Sequence, residues 1–528
     1  MNRLRERLRA AWRRPGVPGG MLALFAALTL GSWALASPIG AGPDDDFHLV
    51  STWCAGPAVD ELCADGSTPQ TREVPRPLLE AACFAFDPEE SAACQSGTLD
   101  WSGVGPGVAV EIVETSRGNF GGEYPPLYYA VNGLLTGANA EAAALAMRAL
   151  TIALFLGVAT ALHLLLPARL VPALHGGLLV TMVPLGVFLF GTNNPSAWAV
   201  IGVATSAIAL LGYFETSGRQ KLGLAAVFVV GVLMAAGSRA DAAVFAGLGI
   251  AVIGILAAAP TKRFVLDAIL PAVMGVVALA FFLTAGQASS GTGGFGGPIR
   301  DATGTDGGAV SVAIHEAAEP ALGGVGLLFY NVLNVPFIWA GAWGQWGLGW
   351  LDTSMPAVVP LAGMAAFVAL GFVALRGAGA RVIGAVAVVV AALWAVPVYV
   401  LQAGGTMVPD QVQPRYLLPL IVLLGVLLLV RRENSPLALT RAQRWVIVAA
   451  VAGAHLVALH MNLRRYVTGT DEPGPNLDAG LEWWWAWMPV GPSLVWLLGS
   501  LAFVGVCMLV TRPWAGVGHP RAKVAVSS

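Results

Sequence analysis

The chain has 528 residues, of which 56% are hydrophobic and only 11% charged, with a formal net charge of −2. A soluble domain usually carries about 25% charge, so a water-soluble globule around one core is excluded and an all-α polytopic membrane protein is expected. A balance so close to neutral gives no sign of nucleic-acid binding.

The first segment, residues 1–18, places Arg3, Arg5, Arg7, Arg9, Arg13 and Arg14 among Leu4, Leu8 and Trp12, the pattern of a basic amphipathic helix on the cytoplasmic surface. Within 19–38, Gly20 to Ala36 reads as the first transmembrane helix. Ala34-Leu35-Ala36 resembles a signal-peptidase site, but the later spans favour an uncleaved anchor. Residues 39–138 then form an external loop that opens on Pro43-Asp44-Asp45-Asp46-Phe47-His48 and holds Cys54, Cys63, Cys83 and Cys94. That grouping implies two disulfides in an oxidising space, with Cys54–Cys63 and Cys83–Cys94 the simplest of the three connectivities. The stretch from Tyr124-Pro125-Pro126-Leu127-Tyr128-Tyr129 to Gly137 is about half the length needed to cross, and is expected to be an interfacial helix.

The transmembrane core, 139–430, contains apolar runs near 140–166, 171–190, 196–213, 222–237, 240–259 and 264–285. With residue 44 outside, Arg169, Arg219, Lys221, Lys262 and Arg263 fall in the cytoplasm, as the positive-inside rule asks. The breaks at 192–195 and 238–241 then fall outside, as does a loop over 286–356 whose Gly-rich part, 286–320, is expected to be mobile. Residues 321–342 are read as re-entrant or interfacial, since a span there would place Arg376 and Arg381 outside. Runs near 357–375, 380–401, 415–431, 444–461 and 490–511 complete a bundle of about twelve spans. Both termini are then cytoplasmic, and the C-terminal part, 431–528, carries an external loop at 462–489.

The unusual polar residues thereby gather at the external ends of spans: Asp44, Asp45, His48, Glu123, Tyr124, Asn194, Arg239, Asp352, Gln413, Arg415, Tyr416 and Arg465. Ionisable residues at such places are candidates for function because burial in hydrocarbon is costly. Carboxylates there can act as a general base, or Asp44 and Asp45 can hold a divalent cation such as Mg or Mn. Arginines facing them suit a phosphate. Asp44, Asp45 and His48 are the expected catalytic set, with Asp46 a bystander. Blander readings compete elsewhere. Arg239 and Asp241 suit a structural ion pair as well as a substrate contact, Trp483 to Trp485 suit an interfacial belt, and His163, His175, His455 and His460 read as packing residues.

These motifs carry a resemblance. Pro43-Asp44-Asp45-Asp46-Phe47-His48 resembles the Pro-Asp-Glu-x-x-His pattern of a large bacterial family of polytopic membrane proteins described as a domain of unknown function. Tyr124-Pro125-Pro126-Leu127-Tyr128-Tyr129 resembles its His-Pro-Pro-Leu-Tyr-Tyr, Asn194-Pro195-Ser196 its Asn-Pro-Asp, Gly349-Trp350-Leu351-Asp352 its Gly-Trp-Leu-Asp and Gln413-Pro414-Arg415-Tyr416 its Gln-Gly-Arg-Tyr. That family is similar in layout to the GT-C glycosyltransferases, which use polyprenyl-phosphate-linked sugars. The resemblance implies a GT-C-like bundle in the bacterial plasma membrane that moves a sugar from such a donor to a glycan, lipid or protein of the cell envelope. Asp44 or Asp45 would be base or metal ligand, His48 their support, and Arg415 the donor-phosphate contact. The alternative is a transporter or flippase of lipid-linked envelope precursors.

Overall fold

A computed structural model describes residues 16–57, 62–100, 110–286, 323–431 and 437–514. The amphipathic helix expected before residue 16 and the mobile loop expected over 286–320 lie outside these residues, Gly286 excepted. The helices are α1 (Gly16–Ala36), α2 (Asp45–Trp53), α3 (Arg76–Glu80), α4 (Leu127–Gly133), α5 (Ala140–Leu165), α6 (Val171–Thr181), α7 (Leu185–Leu189), α8 (Ser196–Glu215) and α9 (Gly218–Ala236). They continue with α10 (Ala240–Ala257), α11 (Lys262–Asp267), α12 (Ile269–Thr284), α13 (Gly324–Gly341), α14 (Val358–Leu375), α15 (Ala380–Ala403), α16 (Pro414–Leu428), α17 (Arg441–Val467) and α18 (Pro492–Val510). Among the described residues, eleven helices are long and apolar enough to cross a membrane. The chain is a multi-pass, all-α membrane protein.

Two helices form the centre. In α8, every residue from Ser196 to Tyr213 is buried, and every residue of α16 is buried. Most of the other long helices keep an outward apolar stripe, with Leu279, Phe372 and Leu501 among its exposed side chains, because lipid accepts what water would reject. Helices α8 and α9 approach closely at Gly202, where a Cβ would stand 2.5 Å from the backbone of Gly231 and Ala235. Small residues serve in this way wherever spanning helices pack by van der Waals contact.

Basic side chains knit one end of the bundle together. Arg169 donates to the Arg431 carbonyl at 2.7 Å and pairs with Glu215, and Arg431 in turn reaches the Ala374 carbonyl. Arg263 donates to the Thr216 carbonyl, Arg381 to that of Ala258, and Lys221 pairs with Asp267. The opposite end carries the acidic motif and a cap. In the cap, β1 (Ala64–Asp65), β2 (Arg72–Pro75) and β3 (Ile112–Thr115) form an antiparallel sheet in the order 1-2-3. The disulfides are Cys54–Cys63 and Cys83–Cys94.

Two segments differ from a plain reading of hydropathy. The run at 171–190 divides into α6 and α7 across Met182–Pro184, because Pro184 cannot donate to the helical ladder. Helix α13 passes the length criterion, yet both its flanks are held at the acidic end. Gln402, at the end of α15, donates to the Gly324 carbonyl, and Trp350 donates to that of Gly40. Between them Trp343 donates to the Val180 carbonyl, and Gly341 and Gly347 both lie against Pro414, the first residue of α16, so α13 runs obliquely and its far end stays near the acidic end. Setting α13 aside and counting α16 and the α6–α7 pair, twelve segments of the described residues run from end to end.

Candidate functional site

Asp44 adopts the left-handed backbone conformation, φ 64°, immediately before α2. Aspartate tolerates that region better than most residues, and the kink turns its carboxylate away from the helix. The first turn of α2 then presents Asp45 and Asp46, acids where the helix dipole favours them. His48 follows one turn after Asp44 and donates its backbone N–H to the Asp44 carbonyl at 3.0 Å.

Three arginines from distant elements converge here. Arg117, just after β3, grips Asp46 through two bonds of 2.8 and 2.9 Å and donates to Asp44 at 3.0 Å. Arg415, in the first turn of α16, donates to the other Asp44 oxygen and to the Pro43 carbonyl, both at 2.5 Å. Arg239, at the start of α10, is bound by both oxygens of Asp241 at 2.9 and 3.0 Å. Its guanidinium lies 4.5 Å from the Tyr416 ring centre and 5.6 Å from that of Tyr124. The His48 ring meets Tyr124 edge-on at 5.1 Å, and its Nδ1 shares a 2.8 Å hydrogen bond with the Tyr129 hydroxyl.

These groups leave polar atoms over. His48 Nε2, the Tyr124 hydroxyl, Arg239 Nη1, Arg415 Nε, a Glu123 oxygen and the Gln413 side-chain oxygen are buried without a hydrogen-bond partner among the described residues. Unmade hydrogen bonds of buried groups cost about 1–3 kcal/mol each, so a cluster of them marks a place that a polar ligand can complete.

The two central carboxylates sit in opposite electrostatic settings. Burial alone would raise the Asp44 pKa, but the Arg415 and Arg117 guanidiniums hold it well below the usual carboxylate range. Asp45 is fully buried and its pKa is pushed up to about 6, because burial outweighs its bonds from the Gly42 and Asn193 N–H groups and the charge of Arg148. Burial likewise holds the His48 imidazole well below its ordinary value, against the pull of Asp44 and helped by the charges of Arg415, Arg239 and Arg117, so it is neutral at pH 7.

The structure brings together Asp44, His48, Tyr124, Arg239, Arg415 and Tyr416, with Glu123 and Gln413 next in sequence to members of the cluster. Other expected residues lie elsewhere. Asp45 turns from the cluster to accept N–H bonds from Gly42 and Asn193 at 3.0 and 3.3 Å. Asn194 holds the loop, donating to the Pro43 carbonyl and accepting from the Ser196 N–H, each at 3.0 Å. Asp352 and Arg465 form a separate node. They pair at 3.0 Å, and Arg465 also donates to the carbonyls of Phe84, Asp87 and Glu90, which fastens the disulfide-bonded part of the cap to α17.

Nor do Asp44 and Asp45 suit a divalent cation. Both Asp44 oxygens face guanidiniums, one Asp45 oxygen is taken by backbone N–H groups, and no three His, Cys, Asp or Glu side chains converge as ligands among the described residues. Three residues escape the sequence reading. Arg117 lies in a polar loop where nothing distinguishes it, and Asp46, taken as a bystander, is its partner. Arg148 stands inside an apolar run, a signal in itself. It binds the Asn193 side chain and the Ala34, Ser37 and Pro38 carbonyls, fixing the turn that leads to Asp44.

The model of the family described as "Predicted membrane protein (DUF2142)" matches residues 27–424, three quarters of the chain, and the chain belongs to that family. No curated protein and no solved structure matches it.

Proposed function

We propose that this DUF2142 member is a membrane glycosyltransferase of GT-C type, taking a sugar from a polyprenyl-phosphate-linked donor to an acceptor hydroxyl of the cell envelope. The observation that carries the reading is Asp44, ionised between Arg117 and Arg415 and beside unpartnered N–H groups of Arg239 and Arg415. Asp44 is chosen as the base because its side chain is 16% exposed, whereas Asp45 is fully enclosed.

In the reaction, the acceptor oxygen forms a bond to the anomeric carbon and gives its proton to Asp44. The bond from that carbon to the phosphate oxygen breaks, and the phosphate leaves with the electron pair. Arg239 Nη1 and Arg415 Nε donate to its oxygens, where charge develops. Tyr416 fixes both guanidiniums by stacking, and His48 and Tyr124 face the donor as neutral groups. The positive-inside rule would put the basic end in the cytoplasm of a bacterial cell, and with it both termini. The site would then face outward, on the side where disulfides persist.

The test uses purified, reconstituted protein and a labelled polyprenyl-phosphate sugar. Asp44→Asn is expected to lower transfer about 10²–10⁴-fold, the usual weight of a general base, and Arg415→Lys to weaken donor binding. Transfer that survives Asp44→Asn overturns the reading. Movement of the lipid between leaflets without sugar transfer would make the chain a flippase instead.

A further inference from the structure

A cavity of about 340 Å3 lies at the other end of the bundle, between the first half of α1, the second half of α5, the α6–α7 pair and the end of α18. Its walls include Leu22, Ala26, Phe155, Ala159, Leu178 and Val506. Thr29 contributes no free donor, since its hydroxyl bonds the Phe25 carbonyl at 2.8 Å. The polar exception is His163 with His175, joined by a 3.0 Å hydrogen bond. The cavity is a half-open cleft; apolar space with a few placed polar groups is the general form of a ligand site, and bundles build such sites between helices.

Place and charge decide the occupant. The walls are halves of spanning helices, so the medium at this depth is hydrocarbon. The rim belongs to the basic end. There Arg512 stands two residues beyond Val510 of the lining, while Arg444, bonded to the Thr511 hydroxyl at 3.0 Å and the Met508 carbonyl at 3.3 Å, lies toward another face of α18. We infer that the cavity between α1, α5, α6 and α18 holds one acyl chain of an anionic phospholipid, its head at the basic rim and its ester region beside the His163–His175 pair. The chain offers no polar group to the apolar walls, and the head meets arginine, the side chain best suited to phosphate. This site is distinct from the Asp44 cluster.

To test it, full-length protein is placed in phosphatidylglycerol nanodiscs carrying a trace of the diazirine-acyl analogue, photolysed and digested. Adducts are expected on 22–30, 155–163 and 178–187, falling about tenfold in Ala26→Trp and in Ala159→Trp, whose indoles occupy the space of the chain. The adduct map of the unsubstituted protein stands as a test even where a tryptophan variant fails to fold. Adducts spread equally over the outward face of α12, at Val276 and Leu279, overturn the inference, and so does labelling unchanged in both variants. Equal labelling in phosphatidylcholine removes the anionic head from it. Displacement by stoichiometric polyprenyl phosphate would assign the cavity to an isoprenoid and overturn the phospholipid.

Discussion

At the scale of single residues, two neighbouring aspartates have become chemically different groups. Asp44 is kept ionised by two guanidiniums, while Asp45 is enclosed and titrates near 6. The consequence for stability has a definite sign. A carboxyl free in the unfolded chain titrates near 3.9. Between about pH 4 and 6 the folded protein therefore holds the Asp45 proton that the unfolded chain has lost, and stability falls as pH rises through that window. Asp45→Asn removes the titration and keeps an oxygen for the Gly42 and Asn193 N–H groups. The variant is expected to match the parent near pH 4 and to exceed it by about 2–3 kcal/mol at pH 7, read from unfolding midpoints of the detergent-solubilised protein across that range. A constant difference between the two proteins at every pH would contradict the assignment. Asp44 acts with the opposite sign, since its contribution is complete above about pH 4 and is lost only as the pH falls towards its depressed folded value.

At the scale of elements, the turn into α2 and the oblique course of α13 each invite a direct comparison. The left-handed φ of Asp44 costs an L-residue about 1 kcal/mol or more, and glycine nothing. Asp44→Gly and Asp44→Ala both remove the carboxylate, and both should abolish sugar transfer. The glycine variant is expected to be the more stable by about 1 kcal/mol, which separates the backbone's demand from the side chain's chemistry. If alanine is tolerated equally well, the turn is not held as described. For α13, cysteines placed at Gly324 and Ser354 should react with an impermeant thiol reagent from the same side as one at Glu472, since hydrogen bonds tie both flanks to the acidic end. A cysteine at Ser217, beside the basic network, should react only from the other side. Labelling of 324 and 354 from opposite sides would make α13 a thirteenth crossing.

At the scale of the molecule, the long-range order was legible where it follows from hydropathy and short spacing, and hidden where it depends on partners. The spans could be read because lipid requires about 20 apolar residues from each, and both disulfides joined cysteines 9 and 11 positions apart. That Arg415 would meet Asp44 was suggested by order and side alone. That Arg117 would complete the pair, or that Arg465 would instead anchor the cap through Asp352, depends on how a loop folds over the bundle, and no local pattern encodes that. The cap is thus joined to the membrane part by two cationic joints, the half-buried Arg117 on Asp44 and Asp46, and the buried Arg465 on Asp352 with three carbonyls. The joints differ in what lies beneath them. Removing one partner of a buried pair costs about 3–5 kcal/mol, so Arg465→Gln should loosen the cap at 84–90 and speed hydrogen exchange there. In whatever fraction stays folded, the Asp44 cluster keeps its contacts and donor affinity should hold. Arg117→Gln should instead release Asp44 and Asp46 together, raise the Asp44 pKa towards its ordinary value and move the acid limb of the transfer profile upward in pH. An Arg465 variant that shifts that limb as Arg117→Gln does would show that cap and site form one unit.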